Sequence, residues 1–176
     1  INPMRVIYRM RLNLNLICWV VKIILKVSWP SLRRENQISL ANNYIIENFS
    51  EHHLDDVMQI ECQSNPTPWS KHTFEKILEL RSISFVAIKD STLIGFCIAN
   101  KVLDECHLQN ISVIESMRRQ GIGEFMLAVL LKRMKLSGLS TALLEVRRSN
   151  KAAQDFYRKN SFTELSVRKN YYQTKN

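Results

Sequence analysis

The run ECHLQNISVI at 105–114, followed by Arg118-Arg119-Gln120-Gly121-Ile122-Gly123 and then by EFMLAVLLKRMKL at 124–136, sets the architecture of the chain. The first run reads as a strand and the last as a strongly apolar helix ending at Gly138, with a pair of glycines at the junction. Glycine lets successive backbone N–H groups turn toward one point, and a helix N-terminus adds partial positive charge there. A backbone of that shape holds a pyrophosphate. Two rival phosphate loops are excluded by residue. A Walker A loop needs Gly-Lys-Ser/Thr, whereas Glu124 follows Gly123; the dinucleotide fingerprint needs a third small residue, where Met126 stands. On these residues alone, an ordinary glycine turn opening a helix is the other reading.

Working outward, YIIENF (44–49) predicts a strand. Ser50 and Ser70 can cap two helices, the first with Leu54, Val57 and Met58 inward and the second with Phe74, Ile77 and Leu78. Pro66 and Pro68 separate them. ISFVAIK (83–89) and LIGFCIANKV (93–102), joined by a turn at 90–92, predict a β-hairpin. Past the glycine loop and its helix come a strand at 141–147 (TALLEVR), a helix from Asn150 to about Lys159, and a strand at 161–167 (SFTELSV). The expected fold is mixed α/β, one sheet flanked by helices.

Arg-x-x-Gly-x-Gly at a strand-to-helix junction resembles the acetyl-CoA loop of the GNAT superfamily of acetyltransferases. The flanking runs Pro68-Trp69-Ser70, Val102-Leu103-Asp104-Glu105, Asn110-Ile111-Ser112-Val113, Leu144-Glu145-Val146-Arg147-x-Ser149-Asn150 and Arg168-Lys169-Asn170-Tyr171-Tyr172 are similar to those of its ribosomal-protein-alanine N-acetyltransferases. The resemblance spans about residues 44–172. It implies a GNAT fold, acetyl-CoA as donor and the N-terminal segment of a ribosomal protein as acceptor, in the cytoplasm. The runner-up functions are an acetyltransferase for other N-termini, lysines or small amines, and a catalytically weak acyl-CoA-binding protein.

The chemistry needs a proton acceptor, because a free α-amine is mostly protonated at pH 7, together with a cradle for the thioester and a donor for the departing sulfur. Glu145 stands in an otherwise apolar strand, where a carboxylate has to be solvated or paired. Residue type alone leaves a general base and an outward-facing surface acid both open. The resemblance makes it the base. Tyr157 lies on the same helix face as Asn150 and reads as packing or as an acid. The resemblance makes it the proton donor, with Asn150 a contact to the cofactor arm. It also implies that Ile111, Ser112 and Val113 present backbone to acetyl and pantetheine groups, and that Arg119, Gln120, Gly121, Ile122, Gly123 and Glu124 hold the phosphates. Trp69, Asp104 and Glu105 are candidates for the acceptor side, against core packing for Trp69 and a solvated turn for the acidic pair. His52 and His53 read as solvated surface residues.

The net charge of +9 does not describe the domain. Residues 1–43 hold seven Lys or Arg and one acid, against 18 bases and 15 acids in 44–176, so direct nucleic-acid binding is not expected. Four cysteines form no C-x-x-C and read as reduced and structural. Cys106 and His107 are strand neighbours on opposite faces, so no metal is expected. The apolar run 12–27 is interrupted by Lys22 and Lys26, which disfavours membrane insertion. Residues 1–43 therefore read as a basic, apolar extension ahead of a domain at 44–176, dispensable for folding. One departure stands out. GNAT chains of this type continue past the R-x-N-Y-Y run into another apolar strand beside the one at 161–167, and no apolar residue follows Tyr172 here. That final strand is expected to be missing, unless the N-terminal segment covers the exposed edge.

Overall fold

The computed structural model of the chain describes residues 4–13, 38–39, 44–80 and 82–168. Among them, strands β1 (Arg5–Arg11), β2 (Ile38–Ser39), β3 (Tyr44–Asn48), β4 (Phe85–Lys89), β5 (Thr92–Val102), β6 (Glu105–Val113), β7 (Thr141–Arg147) and β8 (Thr163–Arg168) form one sheet in the order β2-β3-β4-β5-β6-β7-β1-β8. The helices are α1 (Leu54–Ser64), α2 (Lys71–Glu79), α3 (Ile122–Leu136) and α4 (Lys151–Lys159). The mixed α/β architecture is the expected one: β6 and β7 run parallel, and the other neighbours are antiparallel.

Two apolar layers follow from the period-2 alternation of the strands. Val86, Phe96 and Ile98 face α1 and α2, where they meet Val57, Ile60, Phe74 and Ile77. Phe85, Ala87, Cys97 and Ala99 face the other way, into the layer formed with α3 and α4. Helix α3 buries residues all around its circumference, which is why its sequence is apolar throughout. The caps are local. Ser70 accepts from the Thr73 N–H, Asn150 from the Ala153 N–H, and Gly138 closes α3 with φ +74°. The β4–β5 hairpin turns on Asp90 and Ser91, both at positive φ, the geometry a two-residue turn needs to match strand twist.

The largest correction concerns the N-terminus. Residues 5–11 are no detached extension; β1 lies inside the sheet, paired antiparallel with β7 on one side and β8 on the other. Its alternate side chains Val6, Tyr8 and Met10 are buried in the layer under α3 and α4. The place beside β8 where the final strand was expected to be missing is therefore held by β1. The physical reason is the one an edge strand always poses: unpaired backbone and an uncovered apolar face demand a partner, and RVIYRMR alternates as such a partner must. A domain beginning at 44 would lack an internal strand, so the expected dispensability of the segment does not extend to 5–11. Most of the apolar run 12–27, and residues 169–176 after β8, lie outside the described residues; among the described residues no helix is long and apolar enough to cross a membrane.

Candidate active site

The site arises where two parallel strands part. β6 and β7 pair from Glu105↔Thr141 to Leu108↔Leu144 and no further. Just beyond, the register of β6 against β5 slips by one residue, Ile98 facing Asn110 and Ala99 facing Leu108, so Gln109 bulges out. Glu145 is the first β7 residue past the paired stretch. Ile114 donates its N–H to Ile94 O on β5, so alternation turns the N–H and C=O of Val113 and Ile111 the other way, into the gap. Ser112 has the opposite phase, and its carbonyl lies against β5: a Cβ on Gly95 would come within 2.6 Å of that oxygen. Gly95 is thus required by close approach, with Met126 of α3 packed over the same point at 3.1 Å.

Two cavities meet at Glu145. One, of about 440 Å³, occupies the gap between the strands and is lined by Asn110, Ile111 and Ser112 of β6, Arg147, Asn150 and Tyr157. The other, of about 730 Å³, lies on the face of α2 and is lined by Ile7, His72, Lys76, Ile77, His107 and Leu143 among others. Arg5, Trp69, Gln109 and Glu145 line both and so form the neck between them. At this neck Arg5 Nη1 stands 3.5 Å from Glu145 Oε2.

Tyr157 is almost fully buried among Tyr8, Phe156 and Phe162. Burial, with a smaller contribution from Cys97, holds its phenol well above the ordinary value, so it is a neutral donor at any physiological pH. Helix α4 is fixed to β7 by Gln154, itself buried, whose Nε2 donates to the carbonyls of Arg147 (3.1 Å) and Arg148 (2.8 Å). Gln154 thereby ties the element carrying Tyr157 to the strand carrying Glu145.

The loop between α1 and α2 is set by a buried carboxylate. Glu61, with no exposed surface, accepts from Asn65 Nδ2 (2.7 Å) and the Trp69 N–H (3.2 Å) at Oε1, and from Asn110 Nδ2 (2.8 Å) at Oε2. It joins the Trp69 loop to the strand that carries Ile111–Val113. Arg147 reinforces the loop through Asn65 Oδ1 (3.0 Å) and Thr67 Oγ1, and Arg118 bridges Val113 O (2.9 Å) and Ser64 Oγ (3.0 Å). Sequence inspection passed over Glu61, although its spacing from Leu54 and Val57 puts it on the apolar stripe of α1, where an acid is out of place.

At the start of α3, Gly121 adopts φ +82° and is the N-cap; among the described residues no side chain caps this helix end, so its first-turn N–H groups have no capping partner there. A Cβ at Gly121 would meet none of the described residues within 4 Å. The glycine is there for its backbone angle, and the space beside it is open. These groups fit a pyrophosphate. Glu124 fits only through its backbone, because its carboxylate is bound to Lys159 Nζ at 2.7 Å. Gln120 is exposed but likewise engaged, its Nε2 donating to Ser116 O, and Arg119 is exposed at φ +61°. Asn150 spends its Oδ1 on the helix cap, leaving Nδ2 for a ligand in the gap.

Other expected site residues fall elsewhere. Asp104 and Glu105 stand at the β5–β6 turn and line neither cavity, because Glu105 pairs with Thr141 at the far end of β7 from Glu145. Glu105 Oε2 instead meets His107 Nε2 at 3.3 Å. His53 is not a solvated surface residue: it is buried, its Nδ1 accepts from the Ser50 N–H at 3.3 Å, and its Nε2 faces Glu47 at 3.5 Å. Burial above all, then neighbouring His52, lowers its pKa. Glu47, His52 and His53 bring ligand-type atoms within 4.8 Å of one another. The Ser50 N–H occupies the Nδ1 lone pair of His53, which leaves the proton on Nε2, so this corner is built as a helix cap rather than as a metal nest. Cys62, Cys97 and Cys106 are free; burial raises both Cys97 and Cys106, the latter to about 12, so neither is a thiolate at neutral pH.

A parallel strand pair that splays over a bulge, beside a glycine loop with an open helix N-terminus, offers a backbone-lined gap and an anion site to one phosphate-bearing ligand. The chain belongs to the acetyltransferase (GNAT) family, whose sequence profile matches residues 54–162. Within it, the chain is similar to the [ribosomal protein bS18]-alanine N-acetyltransferase of Haemophilus influenzae, 38% identical over 114 residues that make up 65% of this chain and 77% of that protein. The crystal structure of the ribosomal-protein-S18-alanine N-acetyltransferase from Escherichia coli superposes with a TM-score of 0.69 at 34% identity, covering 74% of this chain and 84% of that one. At the level of fold alone, the PaiA N-acetyltransferase from Thermoplasma acidophilum, solved in complex with coenzyme A, matches with a TM-score of 0.62 at 22% identity, over 67% of this chain and 88% of that one.

Proposed function

We propose that this protein transfers an acetyl group from acetyl-CoA to the α-amine of a protein N-terminus, the N-terminal alanine of ribosomal protein bS18, with Glu145 as proton acceptor and Tyr157 as donor to the leaving sulfur. The observation that carries this reading is the position of Glu145 at the neck between the strand gap and the α2-side cavity. The first-turn N–H groups at 122–124 hold the pyrophosphate, and the gap between β6 and β7 takes the pantetheine arm. Bound acetyl-CoA supplies the activated acyl carbon. The α2-side cavity admits the acceptor's first residues past Trp69.

Glu145 takes the proton of the ammonium, directly or through water, and frees the nitrogen lone pair to form the new C–N bond. The inward-turned Val113 N–H donates to the carbonyl oxygen, which gains negative charge during attack. As the C–S bond breaks, the Tyr157 hydroxyl donates a hydrogen bond to the departing sulfur, and the second proton of the nitrogen passes to that sulfur as the amide forms, leaving amide and free thiol. Its raised pKa keeps the hydroxyl protonated throughout, so it stabilises the charge on sulfur as a hydrogen-bond donor. The test is incubation with acetyl-CoA and a bS18 N-terminal peptide beside other N-terminal, lysine-bearing and small-amine acceptors, read by mass spectrometry. One acetyl group on the alanine amine, lost in Glu145→Gln while acetyl-CoA binding persists, is the expected result. Acetylation of lysine or small amines in preference would overturn the acceptor assignment.

A further inference from the structure

We infer that Arg5 is a positioning residue for Glu145, so that the N-terminal strand completes the catalytic constellation as well as the sheet. The inference rests on the reading of Glu145 as the proton acceptor.

Three observations converge on it. Arg5 is one of the residues lining both cavities, at the neck where amine and thioester have to meet. Its guanidinium stands 3.5 Å from the Glu145 carboxylate, with the two side chains 47% and 28% exposed. The pleat of β1 dictates this direction. Val6, Tyr8 and Met10 point into the core, so Arg5 and Ile7 point to the opposite face, and the register sets Arg5 beside Arg147 and Ile7 beside Glu145. Pairing on both edges leaves β1 little freedom to move the guanidinium elsewhere.

The chemistry of the pair follows. A guanidinium stays charged throughout the working pH range, so the neck carries a permanent positive group beside the base. It restricts the rotamers of Glu145 and keeps one carboxylate oxygen turned across the neck. The first proton leaving the nitrogen goes to Glu145; Arg5 neither gains nor loses one.

The experiment uses the full chain carrying Arg5→Met, Arg5→Lys, Glu145→Gln, and Arg5→Met with Glu145→Gln together. Arg5→Met is expected to lower kcat about tenfold, the scale of a slightly misplaced catalytic group. Its KM for acetyl-CoA should stay within about twofold, since the phosphate loop is untouched. Arg5→Lys should recover part of the loss. In the Glu145→Gln background, Arg5→Met should cost nothing further, because a residue acting through Glu145 has no effect without it. Wild-type kcat in Arg5→Met, or an equal further loss in the Glu145→Gln background, overturns the role of Arg5 and leaves the proposed reaction standing. Wild-type turnover in Glu145→Gln overturns the base assignment, and this inference with it.

Discussion

The ring of Tyr8, in the first strand, packs 6.3 Å from the ring of Tyr157, in the last helix, at an interplanar angle of 37°. Tyr8 is completely buried, and its hydroxyl has no hydrogen-bond partner among the described residues. With Arg5 beside Glu145 on the same strand, β1 touches both residues assigned to proton movement. The N-terminal strand is therefore part of the active-site wall, and its loss would be felt in stability and turnover together.

Tyr8 separates shape from polarity. Tyr8→Ala should destabilise the fold by roughly 3–5 kcal/mol, the range for emptying a buried aromatic site. Tyr8→Phe keeps the ring and removes an unpaired buried hydroxyl, so it should be neutral or stabilising by up to about 1 kcal/mol. Urea unfolding of both variants checks this. A large loss in Tyr8→Phe would show that the hydroxyl has a partner and that the packing account is wrong.

Glu61 should behave as a loop anchor. Glu61→Gln preserves the shape but turns an NH2 toward a group that already donates, which should cost about 1–3 kcal/mol. The freed Trp69 loop should raise KM for the peptide more than KM for acetyl-CoA. Denaturant titration and steady-state kinetics on one preparation read both effects. Unchanged peptide KM in a destabilised variant would reduce Glu61 to a purely structural role.

Gly121 sits at φ +82° with open space around it. A side chain there is strained by roughly 1–2 kcal/mol, which a folded domain tolerates. Gly121→Val should thus remain folded while its side chain fills the space where phosphate oxygens approach the N–H groups. Calorimetric titration with acetyl-CoA should show binding lost. Wild-type affinity in the folded variant would remove the phosphate assignment.

Tyr157 and Tyr8 both have raised pKa values in the folded protein, chiefly through burial. Their contribution to stability is fully present below the unfolded value of about 10 and is lost as pH rises through the higher folded value. Alkaline unfolding should therefore begin above about pH 10, and Tyr157→Phe, having one less group to ionise, should unfold at a higher pH than the parent. Circular dichroism along an alkaline titration decides it. Coincident curves for parent, Tyr157→Phe and Tyr8→Phe would show that neither burial is felt.

What the amino-acid order determined by itself was the set of features that depend on neighbours in the chain. Alternation marked the strands from 44 onward, Ser70 and Asn150 marked helix starts, and the two glycines after Arg118 marked an anion-ready helix end, because periodicity, capping and positive φ are local properties. Glu145 and Tyr157 were legible as candidates for the same reason, one an acid in an apolar strand and the other a tyrosine on a helix face. Only the tertiary structure decided what meets them. RVIYRMR carries the same alternation whether it sits at a sheet edge, inside the sheet or apart from it, so the insertion of β1 between β7 and β8 could not be read from residues 5–11 alone. The Arg5–Glu145 pair, the Tyr8–Tyr157 contact and the Glu61–Asn110 bond each join distant points of the chain. Their partners are chosen by which buried faces and unpaired strand edges have to be satisfied at once, a requirement that exists only when the sheet is assembled.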